Sequence, residues 1–130
     1  MKLRFWFLLL IICLCFSACG RKSKEELLAE GIKQLNSGNP GAAVVLLKNA
    51  LENDENFLEA RFQLAKSFAA LGKFEQAEKE FQKVLKQNPT RDEVIIELAK
   101  IYNATNRGEQ ALSLANQYLA KHPGSVDGLE

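Results

Sequence analysis

The side chains of this 130-residue chain that could carry chemistry are few and poorly spaced for it. The three cysteines, Cys13, Cys15 and Cys19, all fall within the first nineteen residues, so they cannot cross-link a fold that begins after them. The single histidine, His122, stands directly before Pro123 with no Cys or second His near it, whereas a zinc site needs several such ligands at short spacing. Ser113 and Ser125 lack the strand-turn-helix setting that exposes a nucleophilic serine. No glycine-rich loop follows a strand pattern to cradle a phosphate. The chain therefore reads as a non-enzyme, with no catalytic residue, metal, cofactor or small-molecule substrate. Charge selects no partner either, with 17 Lys+Arg against 16 Asp+Glu and a single short basic run at Arg21, Lys22 and Lys24. A nucleic-acid surface would require a basic stripe with interleaved aromatics, so nucleic acid is not an expected partner.

Cys19 is the cysteine whose surroundings point to a reaction. Residues 5–18 read FWFLLLIICLCFSA, without a charge, after Lys2 and Arg4 and before Gly20, Arg21 and Lys22. That is the layout of an export signal. A transmembrane anchor is the competing reading, but a spanning helix needs roughly 18 or more apolar residues and this run is shorter. Phe16-Ser17-Ala18-Cys19 resembles the bacterial lipoprotein signal, in which small residues precede an invariant Cys. The resemblance implies that residues 1–18 are a signal peptide, that Cys19 is lipidated as the mature N-terminus, and that residues 19–23 form a short tether. Gly20 in place of Asp after the Cys implies sorting to the outer membrane, on its periplasmic face, over retention in the inner one. Cys13 and Cys15 act as small hydrophobes of the discarded segment. Removing residues 1–18 takes away Lys2 and Arg4 and leaves 15 basic against 16 acidic side chains, a formal charge of −1. One acyl chain holds a protein only marginally and two or more hold it stably, which makes a multiply acylated Cys19 a lasting membrane anchor.

Beyond the tether, the informative signal is self-similarity. GNPGAA at 38–43, GKFEQA at 72–77 and NRGEQA at 106–111 recur every 34 residues, which divides the chain into units 24–57, 58–91 and 92–125, with residues 126–130 opening a fourth in phase. A 34-residue period of two helices is the tetratricopeptide (TPR) signature. The small eighth position is Gly31, Ala65 and Ala99, and the small twentieth is Ala43, Ala77 and Ala111. Glu30, Gln34, Arg61, Glu55, Ala115 and Tyr118 depart from the signature. The expected fold is an all-α TPR solenoid of three helix-turn-helix repeats plus the start of a fourth.

Cap chemistry follows the same phase. Ser23 with Glu26, Asn56 with Glu59, and Thr90 with Glu93 each place an oxygen-bearing side chain three residues ahead of a Glu, as in a capping box. Asn39-Pro40 puts proline at a first helical position, and Asn88-Pro89 and His122-Pro123 end helices because the residue before proline is driven out of the helical region. Helices are expected near 24–37, 40–53, 57–71, 74–87, 91–105 and 108–121. In the second helix of unit two, Phe74, Ala77, Phe81, Val84 and Leu85 make an apolar stripe, and Glu75, Glu78, Lys79, Gln82, Lys83 and Lys86 a solvated face.

The TPR resemblance implies that first helices line a concave face, which makes a protein or peptide the expected partner. The candidate contact residues there are Leu28, Ile32, Phe62, Lys66, Ile96 and Lys100. The second position of every unit is acidic, at Glu25, Glu59, Glu93 and Asp127. Such a row compensates helix dipoles or forms an acidic rail along one lip of the groove. Lys66 and Lys100 alone would make a poor clamp for a partner's C-terminal carboxylate. The lipid signal, its immediate passage into TPR units, and the run from KEELLAEG to LKQNP together resemble the N-terminal part of the PEP-CTERM system TPR-repeat lipoproteins. That likeness implies a periplasmic scaffold for exosortase protein sorting or exopolysaccharide export. A TPR lipoprotein of pilus biogenesis or outer-membrane protein assembly, and the non-catalytic front of a cell-wall enzyme, are the alternatives.

Overall fold

The computed structural model describes residues 20–123. Six helices follow one another: α1 (Lys24–Asn36), α2 (Pro40–Asn53), α3 (Leu58–Ala70), α4 (Phe74–Gln87), α5 (Asp92–Ala104) and α6 (Gly108–Lys121). No strand occurs among the described residues. The helix ends lie within a residue of those expected from the caps and prolines.

The turn inside each hairpin repeats with the sequence period. Gly38, Gly72 and Asn106, 34 residues apart, have φ of 79°, 70° and 58°, the left-handed region where glycine and asparagine pay least. Each turn closes the same way. The amide of the next residue reaches back to the helix, with Asn39 N–H to Gln34 C=O at 2.9 Å, Lys73 N–H to Phe68 C=O at 2.9 Å and Arg107 N–H to Tyr102 C=O at 2.7 Å. With a second bond from Gly38, Gly72 and Asn106 N–H to the Leu35, Ala69 and Asn103 C=O, this double closure caps carbonyls that would otherwise be orphaned at the helix end.

Of the three expected capping boxes, one forms. The Ser23 hydroxyl accepts from the Glu26 N–H, and the Glu26 carboxylate accepts from the Ser23 N–H. At α3 and α5 the cap residues are Phe57 and Arg91, without a side-chain cap bond. Asn56 and Thr90 stand one residue too early. Their amides instead donate to the side chains of Asp54 (3.0 Å) and Asn88 (3.3 Å), which organise the turns between units.

Packing explains the small residues. Ala43, Leu47, Ala50, Ala60, Ala65, Ala77, Phe81, Val84 and Val94 are fully buried in one continuous core. At Gly31 a Cβ would stand 2.8 Å from Leu47 Cγ, so glycine is what allows α1 and α2 to approach. Arg61, in a row that holds Leu27 and Ile95 in the other units, is buried as a charge. Its Nη1 donates to Glu80 at 2.7 Å and its Nη2 to the Glu55 carbonyl at 2.7 Å, which offset part of the cost of burying the guanidinium, while its buried Nε has no hydrogen-bond partner.

Each helix packs on its hairpin partner, and α2 against α3 and α4 against α5 join successive hairpins. In addition α1 touches α3 and α3 touches α5, whereas α2, α4 and α6 do not touch one another. The first helices therefore lie at the smaller radius, and the stack curves with α1, α3 and α5 on its inner side.

Candidate partner-binding groove

The inner side is the surface on which the sequence placed its contact residues, and the structure divides them. Leu28 and Ile32 on α1 are half-buried, and Ile96 on α5 is 48% exposed. Together they leave apolar surface on the inner side of the stack. Lys66 on α3 is half-buried, and Lys100 on α5 is exposed and paired with Glu97 at 2.9 Å. Phe62 is a correction: it is only 6% exposed and cannot act as an anchor. Its ring meets Phe81 edge-on with centroids 5.7 Å apart, and its other surroundings are the Arg91 guanidinium, 4.1 Å from the centroid, and the Lys66 ammonium at 5.7 Å. The same period position is open in α5 and closed in α3 because Phe81, Arg91 and Lys66 close over the Phe62 ring, whereas the corresponding positions of the third unit hold Ala115, Ser125 and Lys100. Sequence position alone does not carry that difference.

Arg91 also answers the question of the acidic row. Its Nη2 is 2.7 Å from Glu59 Oε2 and its Nε 2.9 Å from Glu93 Oε2, while Gln63 donates to Glu59 Oε1 at 2.8 Å. Burial works to raise the Glu59 pKa, but the hydrogen bonds from Gln63 and Arg91 outweigh it and hold the carboxyl below its ordinary value. Glu59 is thus a structural ligand of Arg91. Glu93, with 68% of its side chain exposed, and Glu25, with 65% exposed and 3.9 Å from Lys24, are the members of the row that present carboxylate to solvent. Asp127 and Cys19 lie outside the described residues.

Two further clasps went unseen in the sequence. Glu78, expected on a solvated face, has 15% of its side chain exposed and joins α4 to the third unit. It accepts from Arg107 Nη1 at 2.6 Å, from Arg107 Nη2 at 3.1 Å and from the Tyr102 hydroxyl at 2.9 Å, and Arg107 stacks 4.3 Å from the Tyr102 centroid. Arg107 above all, with Tyr102, holds the Glu78 carboxyl below its ordinary value against the effect of partial burial. The second clasp ties the first position of a unit to the thirty-first. Lys24 and Asp54 meet at 2.5 Å in unit one, and Asp92 and His122 at 3.1 Å in unit three. The acidic partner stands at the thirty-first position in unit one and at the first in unit three, and the signal was available as a 30-residue spacing of complementary groups. His122 also stacks on Tyr118, which makes it a fixture of the third hairpin.

Among the described residues no three His, Cys, Asp or Glu side chains are grouped so as to hold a metal ion, and no helix is long and apolar enough to cross a membrane. An open, curved face with half-exposed aliphatics flanked by lysines and carboxylates can bind a polypeptide by shape and charge. Stacked helical hairpins with such a face define a repeat scaffold of the protein-interaction class. The Tetratricopeptide repeat family profile matches residues 34–90 and 68–128, and the chain belongs to that family.

Relatives agree at the level of the fold. Tetratricopeptide repeat protein 8 of Homo sapiens is 38% identical over 66 residues, 51% of this chain, and the Mus musculus protein likewise. The chain spans only 12% and 13% of the length of these relatives. Among solved structures, YrrB, described as a TPR protein with an unusual peptide-binding site, superposes with a TM-score of 0.75 at 24% identity, over 82% of this chain and 55% of that one. MamA superposes with a TM-score of 0.72 at 20% identity, over 80% of this chain and 61% of that one. At these identities the likeness is one of fold.

Proposed function

We propose that the chain is a membrane-anchored periplasmic scaffold, held by an acylated Cys19 and capturing a protein partner in the groove of α1, α3 and α5, in the service of exopolysaccharide export or exosortase protein sorting. The observation that carries the binding half is the exposure of Ile96 beside Lys100 on the inner side of the stack. An aliphatic side chain held half in water on a rigid helix gains by being covered, at roughly 25 cal/mol per Å². The anchoring half is supported by Phe16-Ser17-Ala18-Cys19, and the pathway by the likeness of the leader and repeats together to exopolysaccharide-associated lipoproteins.

A photo-crosslinking amino acid at Ile96 in cells is expected to trap a discrete partner, and Ile96→Asp to abolish that adduct from a second inner-side position while leaving thermal unfolding unchanged. Trapping from Lys79 on the outer side and none from Ile96 would refute the groove. Cys19→Ser should release the protein from membranes and remove acyl labelling. Persistence in the membrane would instead favour the uncleaved apolar helix.

A further inference from the structure

One face of α6 lacks the cover that its counterparts have. Leu112 and Leu119 are 63% and 39% exposed, and Gly108 and Ala115 beside them are exposed too. At the same period positions α2 and α4 bury Leu47 and Phe81 completely and Leu51 and Leu85 in part, because another hairpin follows each of them. The four α6 residues are spaced 4, 3 and 4 apart, the spacing of a seam between two paired helices.

Two candidates for the cover match this face poorly. A second copy placed head to tail brings α1, but α1 has Glu26, Glu30 and Lys33 where α5 has Val94, Leu98 and Ile101, all buried. Covering leucines with carboxylates and an ammonium strips those charges of water and returns no hydrogen bond. A following hairpin would need the seat that α2 and α4 offer, where Leu47 stands three residues before Ala50 and Phe81 three before Val84, all at zero exposure. In α6 large and small are reversed, with Ala115 and then Tyr118, and the Tyr118 ring is fixed by stacking on His122. A helix approaching as α3 approaches α2 meets that ring in place of Ala50.

We propose that α6 pairs with α6 of a second copy, antiparallel and about a twofold axis. With the axis between Ser113 and Leu114, Leu112 faces Ala115 of the second copy and Leu119 faces Gly108 of the second copy. Every layer of the seam then sets a large side chain against a small one, which fills the contact without voids. The same patch serves both copies, so the contact closes on itself as a dimer and propagates no fibre. Glu109 is the charged side chain of α6 nearest the seam. It comes beside Asn116 of the second copy, and the two Glu109 residues stand nine steps apart along the axis, about 13 Å. A helix of 14 residues is about 21 Å long, which puts the contact at the small end of specific interfaces and makes the dimer weak and concentration-dependent. A pair offers two inner grooves, which raises avidity for a partner carrying two copies of its motif. That use rests on the groove reading above, and the pairing itself does not.

The whole chain at rising concentration, in a mild detergent that shields residues 5–18, is expected to sediment as monomer and then as dimer. Leu112→Asp should weaken the dimer about tenfold or more, since each pair loses two aliphatic contacts, with thermal unfolding unchanged because the side chain is exposed. Val45→Asp, at a comparably open aliphatic of α2, should change neither. A chain that stays monomeric throughout, or a dimer that Leu112→Asp leaves intact, overturns the proposal. Register is read by mixing single-cysteine chains in which Cys13, Cys15 and Cys19 are replaced by serine. Leu112→Cys with Ala115→Cys should form a mixed disulfide several-fold faster than Leu112→Cys with Glu30→Cys. The opposite order overturns the twofold pair in favour of head-to-tail contact. Amide protection of α6 in a monomer, lost when residues 124–130 are removed, would assign the cover to the chain's own end and overturn the pairing as well.

Discussion

The guanidinium of Arg91 lies over the ring of Phe62, 4.1 Å from its centroid, and from there reaches Glu59 at 2.7 Å and Glu93 at 2.9 Å. One side chain at the junction of the second and third units thus covers a core aromatic and gathers two carboxylates of the inner lip. It fixes how α5 sits against α3.

Replacing Arg91 by alanine should destabilise the stack by about 1–3 kcal/mol, because it uncovers an aromatic face and strips Glu59 of a charged hydrogen bond in a partly desolvated place. Arg91→Lys should recover only part of this, since an ammonium cannot stack flat and bond two carboxylates at once. Urea unfolding of both variants checks it. Equal stability of Arg91→Ala and the native chain would mean that the clasp adds nothing.

Acid should loosen the stack. Glu78, Glu80 and Glu59 all have folded-state pKa values below their ordinary ones, so each contributes stability that is present above the unfolded value of about 4.3 and is lost as pH falls through the folded value. The thermal midpoint should stay level near neutrality and drop in mildly acidic to acidic buffer. Glu78→Gln should flatten part of that drop, and an unaltered profile in that variant would remove Glu78 from the account.

The hairpin turns should rank by their need for a positive φ. Gly72→Ala forces a Cβ into the left-handed region with nothing else in its way, at a cost of about 1–2 kcal/mol. Asn106→Gly, at the equivalent turn, should change stability by only a few tenths of a kcal/mol. Reversal of this order in denaturant titrations would show that the turns are not the limiting geometry. At the neighbouring close contact, Gly31→Val should cost about 1–3 kcal/mol through overpacking, because Leu47 is fully buried and cannot swing away.

Amide exchange should be slowest in α3 and α4, which hold Ala60, Ala65, Ala77, Phe81 and Val84 at zero exposure, and fastest in α6. In α6 only Ala111 is buried, and Leu112 and Leu119 are 63% and 39% exposed. Few buried contacts mean a low opening free energy. Uniform protection through Lys121 would show that the third hairpin needs no further cover.

The 34-residue period, the small residues at its eighth and twentieth positions and the prolines at helix boundaries determined the fold from the sequence alone. All three are local requirements, of helix contact or backbone conformation, that recur wherever the same hairpin recurs. The inner placement of α1, α3 and α5 was an expectation of family likeness, and the helix contacts supplied its physical basis. What the sequence did not determine is which equivalent positions are open. Leu28, Phe62 and Ile96 share one place in the period, yet Phe62 alone is sealed, because Phe81, Arg91 and Lys66 fold over its ring, and only the packing of the hairpin brings them there. Nor did it determine which charges pair. Glu78 and Glu59 look like surface acids, and only tertiary packing brings Arg107, Tyr102 and Arg91 onto them. Those hydrogen bonds and ion pairs join residues 24 to 32 positions apart in the chain, and tertiary packing alone makes that separation a contact.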